Sequence, residues 1–367
     1  MIVIVGAGGH GLSAAYHLLK RGVKNVVIIE AKRVGYGSSS RNISRYRVYF
    51  NDKKNVEFAR KAMEFFSKES KELKFNTMFM RTGYLWILGE GPTEGFRRST
   101  NLWDSEGLGG KYLDCNNFNF LKEGLGECYF GPLAGSFHHD YLTLSYYEEV
   151  RKVHTFLSGE VTQLLSSGGK VKGVVVEGRQ VQADTVLITA GAWTSRLLSS
   201  LGLSIPIVPE RKEAYITEDV KFKVKPLVID LATGVYFSHT LKGEIIGGID
   251  RGVQGFVEFS ISLDNMLAYL KRLRHLVRGI EGIGLMRGWS GFYEMTPDRS
   301  HVMGFDPQWP EGLFIDAGYS GHGMMMSPLS GEIMAKMIVD GKIDGLAQPF
   351  TPERFRTHKL LEENMVI

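Results

Sequence analysis

The first thirty residues constrain the fold of this chain more than any other stretch. A short apolar, β-branched run at 2–5 is stopped by glycine, and apolar residues then recur at helical spacing over 12–19. A second apolar run at 26–29 ends on Glu30. The pattern predicts a buried parallel strand, a glycine turn, a helix and a second parallel strand, which together begin a Rossmann-like α/β domain.

The glycines between the first strand and the helix have the spacing of a dinucleotide-binding turn. Gly6 permits the tight turn, Gly8 lets backbone approach a pyrophosphate, and Gly11 lets the helix pack closely on the strand. The helix N-terminus favours the anionic phosphates. Glu30, about 20 residues past the glycines, can accept hydrogen bonds from ribose hydroxyls and disfavours the 2′-phosphate of NADP.

A glycine-rich turn without any ligand is the alternative interpretation of this motif. The strand, the helix, the second strand and the terminal acid are all in register, and this context favours a dinucleotide. The motif alone leaves NAD and FAD both open.

Composition and charge exclude several other classes of protein. The chain has the make-up of a globular protein long enough for two domains, and its net charge of +4 is not gathered into a basic block or stripe. Nucleic acid is therefore not an expected partner. Cys115 and Cys128 are too few and wrongly spaced for a metal cage, which indicates no metal site and a reducing compartment. With neither a membrane-spanning run nor a secretory leader pattern, the expected location is cytoplasmic.

The segment after Glu30 is rich in Gly, Ser and Arg and lacks periodicity, so we expect a loop over the bound dinucleotide. Ser38, Ser39 and Arg41 could reach the phosphate or the flavin. Arg45 and Arg47 could point into a neighbouring chamber, since a guanidinium suits bidentate capture of a carboxylate. Solvent exposure is the alternative for each arginine.

The rest of the chain predicts a second domain built on an antiparallel sheet. We expect a helix over 55–75, a strand over 78–90, an irregular stretch to about 137, and a helix capped by Asp140 or Thr143 that runs to about 153. Three short strands then lead to the small residues at 190–192, and closely spaced strands follow from 208. A second glycine turn at 318–323 opens a long helix. The predicted division is a discontinuous dinucleotide-binding domain of residues 1–78, 140–207 and 299–367, and a second domain of residues 79–139 and 208–298; the resemblance described next implies FAD binding for the first and substrate binding for the second.

Taken together, the motifs resemble the FAD-dependent amine and amino-acid oxidoreductases of the D-amino-acid oxidase superfamily. Within it the chain is similar to the β subunits of heterotetrameric sarcosine oxidase and of archaeal dye-linked L-proline dehydrogenase. The matching stretches are GAGGHGLSAAYHL with Glu30, SSSRN followed by Arg47, ADTVLITAGAW, RGWSGFYEMTPD, and AGYSGHGMMMSP. The resemblance implies a two-domain flavoprotein whose substrate lies between a β-sheet and the flavin ring.

The resemblance also implies roles for individual residues. Arg47 would pair with the substrate carboxylate, and Tyr293 would line the substrate pocket, although a tyrosine simply packed in a strand is the alternative. The residues expected to bind the cofactor are Gly6, Gly8, Gly9, Gly11, Glu30, Lys32, Ser39, Arg41, Asn42, Val161, Gly191, Trp193, Gly318, Tyr319, Gly321, His322, Gly323 and Met324.

Three departures from the family pattern modify these expectations. Monomeric sarcosine oxidases tether their flavin through a cysteine where this chain has Gly291, so we expect non-covalent FAD. Methionines at 324–326 replace a lysine that helps to bind the carboxylate there, and we assign Met325 to an apolar pocket wall. The stretch 245–250 lacks the lysine that those oxidases use to activate oxygen, so fast reaction with oxygen is not expected.

The expected function is oxidation of a secondary or small amino acid, of the L-proline or sarcosine type, to an imine by hydride transfer to flavin N5. The protein would be a dehydrogenase or oxidase subunit. The alternatives are a non-catalytic flavin-binding subunit and a glycine or D-amino-acid oxidase. A buried guanidinium at Arg47 needs an anion, which favours an enzyme.

One further motif concerns a partner chain. His139 and Asp140 resemble an HD segment of the heterotetrameric sarcosine oxidase β subunits, whose histidine holds FMN at the boundary with another subunit. The resemblance implies FMN near His139 and a second subunit that receives electrons, with the segment 112–137 as a possible docking surface. An exposed loop histidine before a helix is the alternative.

Overall fold

The computed structural model describes residues 1–365. Its α-helices are α1 (Gly9–Lys20), α2 (Lys53–Glu69), α3 (Glu94–Ser105), α4 (His139–Val150), α5 (Thr194–Ser199), α6 (Leu263–Leu276), α7 (Gly323–Asp340) and α8 (Glu353–Arg356). Its strands are β1 (Ile2–Val5), β2 (Val26–Glu30), β3 (Arg45–Arg47), β4 (Met80–Arg81), β5 (Tyr84–Gly89), β6 (Lys111–Asp114), β7 (Glu127–Gly131), β8 (Ala134–Ser136), β9 (Thr155–Ser158), β10 (Val161–Ser167), β11 (Lys170–Val176), β12 (Arg179–Gln182), β13 (Thr185–Ile188), β14 (Val208–Asp219), β15 (Leu227–Asp230), β16 (Val235–His239), β17 (Glu244–Ile249), β18 (Val253–Gln254), β19 (Leu285–Met295), β20 (Val302–Gly304) and β21 (Leu313–Ala317).

The predicted Rossmann-like unit is a six-stranded sheet in the order β20–β21–β13–β1–β2–β9. All neighbouring strands are parallel except β20, which runs antiparallel to β21. Val5 at the end of β1 pairs with Ile29 on one side and Ile188 on the other. The turn after β1 therefore lies between the carboxyl ends of β2 and β13, where open α/β sheets bind their ligands.

Both faces of this sheet are covered, which explains its almost continuous apolar strands. Along β1, Ile4 faces a core shared with α1, α2, α4 and α7. Val3 and Val5 face the opposite core, shared with α5 and the antiparallel β10–β11–β12 sheet. Alternate residues of one strand thus supply two cores.

The second large sheet has nine strands, in the order β18–β14–β17–β16–β15–β5–β7–β6, with β19 also paired to β14. Its pairs are antiparallel apart from β15 with β5. Helix α6 covers one face through Tyr269, Leu273 and Leu276, which are buried in one cluster with strand residues. The α/β class with an antiparallel second sheet is confirmed.

A small β3–β8–β4 sheet connects segments far apart in sequence. Arg45 and Arg47 of β3 lie opposite Ser136 and Ala134 of β8. The division into residues 1–78, 140–207 and 299–367 against 79–139 and 208–298 stays a prediction, and its last two residues lie outside the described part of the chain.

The stretch predicted to be irregular up to about 137 contains α3, β6, β7 and β8, so that prediction was wrong. Its order comes from non-local packing: Trp103 of α3 is fully buried and its indole N–H donates to the Phe50 carbonyl oxygen (2.8 Å). The ring also packs against Tyr49, Trp86 and Tyr129. None of these contacts is local in sequence.

Three smaller element predictions also need correction. Helix α2 ends at Glu69 rather than near 75. Helix α4 is capped by His138, whose ring nitrogen accepts from Tyr141 N–H, rather than by Asp140 or Thr143. Four strands, β10 to β13, occupy the region where three were expected.

Cys115 and Cys128 form a buried disulfide that closes the loop before β7. The sequence interpretation took the two cysteines to indicate a reducing compartment, and the pairing removes that support, because disulfides persist in oxidising surroundings or in unusually stable intracellular proteins. Among the helices of residues 1–365, none combines the length and apolarity needed to cross a bilayer.

Candidate active site

Two adjoining cavities lie beside the carboxyl edge of the six-stranded sheet. The larger, of about 410 Å³, is lined by the glycine turn, the end of β2, the start of β10 and the segment after β13. The smaller, of about 120 Å³, lies between the loop 38–47, strands of the nine-stranded sheet and the N-terminus of α7. The cavities share four lining residues, His10, Ser38, Ser39 and Glu294. The smaller one is well below the roughly 300–1,000 Å³ of pockets for drug-sized ligands, which suits a small molecule.

The glycine turn has the close approaches expected from the sequence. Gly6 has φ +107°, and a Cβ there would lie 2.6 Å from the Thr189 carbonyl oxygen. A Cβ at Gly11 would lie 2.1 Å from the Gly6 carbonyl oxygen. Side chains at either position would separate α1, β1 and the segment after β13. At the start of α1, the Gly9 N–H donates to Ser39 Oγ (2.9 Å), which holds the loop 38–47 over the glycine turn.

Glu30 lies at the far wall of the larger cavity with its carboxylate fixed. Oε2 accepts from Ala7 N–H and Oε1 from Lys32 N–H, both at 2.9 Å. The two backbone N–H groups hold both carboxylate oxygens in one orientation. A fixed acceptor at this strand end can bind the hydroxyls of a ribose.

The other residues expected to bind the cofactor fall into three groups. The larger cavity is lined by Gly6, Gly8, Gly9, Glu30, Lys32, Ser39, Val161, Gly191 and Trp193. The smaller one is lined by Arg41, Asn42, Tyr319, Gly321, His322, Gly323 and Met324, together with Arg47, Tyr293 and Met325. Gly11 and Gly318 line neither cavity.

Arg41 has a scaffolding role in addition to its place on the wall. Its Nε donates to the Tyr36 carbonyl oxygen (3.1 Å) and one terminal nitrogen to that of Ser290 (3.2 Å). The guanidinium carbon also lies 4.1 Å from the centre of the Phe259 ring. These contacts join the loop 38–47 to β19. Because they occupy donors of the guanidinium, Arg41 is less available to bind a phosphate than the sequence suggested.

Arg47 is the buried cation of the smaller cavity, with only 3% of its surface exposed. Its guanidinium carbon lies 4.8 Å from the centre of the Phe50 ring, and its backbone N–H donates to the sulfur of Met325 (3.4 Å). A terminal nitrogen donates to the Met365 carbonyl oxygen (2.5 Å), and Nε has no partner among residues 1–365. The guanidinium thus keeps donor capacity for an anion in the cavity.

The segment 361–365 covers Arg47 and is tied down independently of it. The buried Glu363 accepts from the backbone N–H groups of Asn51 (2.8 Å) and Asp52 (3.1 Å). Arg299 donates to the Asn364 carbonyl oxygen (2.5 Å). Burial raises the pKa of Glu363, while nearby Arg47 lowers it. The segment therefore holds one terminal nitrogen of Arg47 in place through the Met365 carbonyl oxygen.

Two phenols open onto the same cavity. Tyr84 of β5 and Tyr293 of β19 both line it. Burial raises the pKa of each to about 12, so both remain protonated donors near neutral pH. A Cβ at Gly321 would lie 2.3 Å from the Tyr293 ring, so this glycine is what lets the ring stand beside the α7 turn.

The remaining wall is apolar or uncharged. Met325 is buried, as is His322, whose ring nitrogens have no partner among the described residues. Burial, followed by the charge of Arg47, lowers the pKa of His322 to about 3. The imidazole is therefore neutral and does not compete with Arg47 for an anion.

Several lining residues were missed by sequence reasoning. Tyr84 of β5 and Lys212 of β14 reach the cavity only through strand pairing. The Lys212 ammonium is held by Glu210 (2.5 Å) and Asp250 (2.6 Å), so a lysine does line the chamber although 245–250 has none. His10 and Glu294 were detectable, because each lies inside a motif already identified, GAGGHG and GFYEMTPD.

His139 is packed rather than exposed in a loop. It is the first residue of α4, its side chain is 17% exposed, and its Nδ1 contacts the Ser44 hydroxyl. Burial lowers its pKa, while Asp140 (3.4 Å from Nε2) raises it. Ser44 lines the smaller cavity, so His139 contacts a residue of the cavity wall without lining the cavity itself.

The two cavities together fit FAD. Backbone without Cβ atoms at Gly8 and Gly9, the helix N-terminus and the fixed Glu30 carboxylate provide the phosphate and ribose contacts of the larger cavity. The opening at the shared residues lets a long ligand continue toward Arg47 and Tyr293. Filling Gly9 with a Cβ would bring it within 2.7 Å of the Met324 sulfur, so the approach of α1 to α7 depends on glycine.

Comparisons with known proteins agree with this geometry. The sarcosine oxidase β subunit of Rhodobacter capsulatus is 28% identical, over 99% of this chain and 90% of the relative. The crystal structure of L-proline dehydrogenase from P. horikoshii superposes with a TM-score of 0.89 at 27% identity, covering 98% of each chain. Glycine oxidase from Geobacillus kaustophilus has a TM-score of 0.86 over 95% of this chain and 97% of its own, and at 23% identity this shows a common fold.

A family model described as DAO, FAD dependent oxidoreductase, matches residues 1–337. The match includes the glycine turn, all the residues that line the two cavities, and the turn that opens α7. The chain therefore belongs to the DAO family of FAD-dependent oxidoreductases.

Proposed function

We propose that this protein oxidises a small amino acid with a secondary amine, of the L-proline or sarcosine type, to the corresponding imine. The observation that carries the proposal is the buried Arg47 facing a small cavity beside the cofactor cavity, with two open phenol donors. FAD, when bound, supplies the acceptor for a hydride. The residues Gly6, Gly8, Gly9, Glu30, Ser39 and Gly191 would hold it.

The chamber's own residues select the substrate. Arg47 binds the carboxylate, because a buried guanidinium is stabilised by a paired anion. Tyr84 and Tyr293 donate to the same carboxylate or to a water beside it. Met325 and neutral His322 exclude water from the carbon that is oxidised. Relatives named sarcosine oxidase and L-proline dehydrogenase support a carboxylate next to a secondary amine. A glycine or D-amino-acid oxidase, or a flavin-binding subunit without activity, is the alternative.

The first prediction tests the substrate class. Under anaerobic conditions, the visible flavin absorbance of the purified protein should bleach with L-proline or sarcosine. The matched compounds pyrrolidine and L-prolinol, which lack the carboxylate, should bleach it far more slowly because they cannot pair with Arg47. If none of L-proline, sarcosine, glycine or D-amino acids bleaches the protein, the proposed enzyme activity is wrong.

The second prediction concerns Arg47. Replacing it with methionine should raise KM, because the ion pair with the substrate carboxylate is lost. Removing one partner of such a buried pair costs ~2–5 kcal/mol of binding free energy. Arg47→Lys should recover part of this, because the charge remains without the bidentate fork. The matched control is Arg179→Met, since Arg179 lies exposed on β12 and lines neither cavity. An unchanged KM in Arg47→Met would transfer the role to Arg45, which lines the same cavity.

The third prediction concerns the attachment of FAD. Gly291 offers no sulfur, and a Cβ there would lie 2.9 Å from the Arg41 Cβ, so a larger side chain has little room. Acid precipitation should therefore release all of the FAD into the supernatant. Flavin that stays with the precipitated chain would contradict non-covalent binding.

The fourth prediction concerns a partner subunit. We propose that electrons pass from this chain to FMN held near His139 at a boundary with a second polypeptide, because His139 contacts Ser44 of the substrate chamber. Of the six aromatic side chains in 112–137, three are buried and Tyr112 alone is exposed, so the docking surface is better sought around Tyr112 and the exposed Tyr141. Native mass spectrometry of the complex from its source should find a second chain and FMN. A fully active homo-oligomer without FMN would contradict this proposal.

The missing lysine at 245–250 predicts slow reaction with oxygen, but Lys212 lies on the chamber wall. The cytoplasmic location expected from the sequence likewise stays a prediction.

A further inference from the structure

The opening between the two cavities is lined by the four residues common to both, His10, Ser38, Ser39 and Glu294. A ligand that extends from Glu30 to the chamber of Arg47 must pass these side chains. The polar atoms of these side chains that have no protein partner therefore indicate which chemical groups of the ligand can lie in the opening.

Three of the four are already engaged by protein. Ser38 Oγ donates to the Phe292 carbonyl oxygen (2.5 Å), and Ser39 Oγ accepts from the Gly9 N–H. The Nδ1 atom of His10 lies 2.8 Å from Ser330 Oγ and 3.1 Å from a carboxylate oxygen of Asp316. These contacts fix the shape of the opening.

Glu294 is the acid among the four, and like His10, whose Nε2 is buried without a partner, it is only partly engaged by residues 1–365. Its Oε2 accepts from the Gly318 N–H at 2.6 Å, while Oε1 has no hydrogen-bond partner among residues 1–365. A Cβ added to Gly191 would lie 3.1 Å from Oε1, so this oxygen stands directly over the backbone after β13. Burial raises the pKa of Glu294, while the charge of His10 and the backbone N–H groups of Gly318 and Tyr319 lower it.

The chemistry of the cofactor decides what can meet this oxygen. Between its adenosine and its ring system, FAD has a pyrophosphate and a ribityl chain that carries hydroxyls. A carboxylate repels a phosphate but accepts well from a hydroxyl, whether or not it is protonated. The phosphates already have a more suitable place at the N-terminus of α1.

We propose that Glu294 Oε1 accepts a hydrogen bond from the ribityl chain of FAD, and thereby fixes how far the ring system reaches toward Arg47 and Tyr293. The proposal depends on the FAD site and is independent of which amine is oxidised. Glu294 is then a cofactor-binding residue that occupies the face of β19 opposite Tyr293.

The experiment is a titration of the full-length protein, freed of flavin, with FAD and with ADP. ADP fills only the Glu30 half of the site. Glu294→Ala should weaken FAD binding by roughly tenfold or more, as expected for a hydrogen bond to a carboxyl group, and leave ADP binding unchanged. Glu294→Gln, which keeps an amide oxygen and can still accept from Gly318, should bind FAD within a few-fold of the wild type. Glu30→Gln is the matched control and should weaken both ligands.

An FAD analogue whose ribityl hydroxyls are replaced by hydrogen tests the contact itself. It should bind wild type more weakly than FAD does, and the difference should shrink in Glu294→Ala. Equal FAD affinity of Glu294→Ala and wild type would overturn the proposal. Equal loss of FAD and ADP affinity would also overturn it, since Glu294 would then act only by holding the Gly318 turn. Failure of every amine to bleach the flavin would refute the proposed function and leave these affinities as predicted.

Discussion

The close contact between the glycine turn and the segment after β13 is the constraint on which the rest of the site depends. Gly6 and Gly11 bring α1, β1 and Thr189 to distances that a Cβ would forbid, and the Thr189 hydroxyl donates to the carbonyl oxygens of Val5 and Gly6. Because this contact closes one end of the larger cavity, it sets where the helix N-terminus faces the ligand. Ser39 then joins the loop 38–47 to α1, and Arg47 is the last residue of that loop.

The substrate chamber is assembled from four parts of the chain that meet only in the folded protein. Strand β3 contributes Arg47, β5 contributes Tyr84, β19 contributes Tyr293, and the start of α7 contributes Met325. The segment 361–365 does not line the chamber, but its Met365 carbonyl oxygen accepts a hydrogen bond from Arg47 and so occupies one of its donors. A guanidinium held in this way loses little further freedom when a carboxylate binds, which is the advantage of preorganisation.

Strand β19 connects the two cavities because its side chains alternate. Tyr293 faces the substrate chamber, and the neighbouring Glu294 reaches toward Gly191 and Gly318. Lys212, on the adjacent strand β14, pairs in register with Gly291. A shift of one residue in this pairing would exchange the two faces, so the register of β14 with β19 matters to both cofactor and substrate.

The sequence by itself determined the local features: the strand–turn–helix–strand unit, the acid at Glu30, the family, and the identity of many of the residues that line the cavities. These features depend on spacing and on glycine geometry, which are legible without tertiary contacts. The order in 91–137, the Cys115–Cys128 disulfide, the packed position of His139, and the presence of Tyr84, Lys212 and the segment 361–365 around Arg47 were decided only by the tertiary structure. Each of these results from pairing or packing between residues distant in sequence, and neither periodicity nor spacing carries information about such contacts.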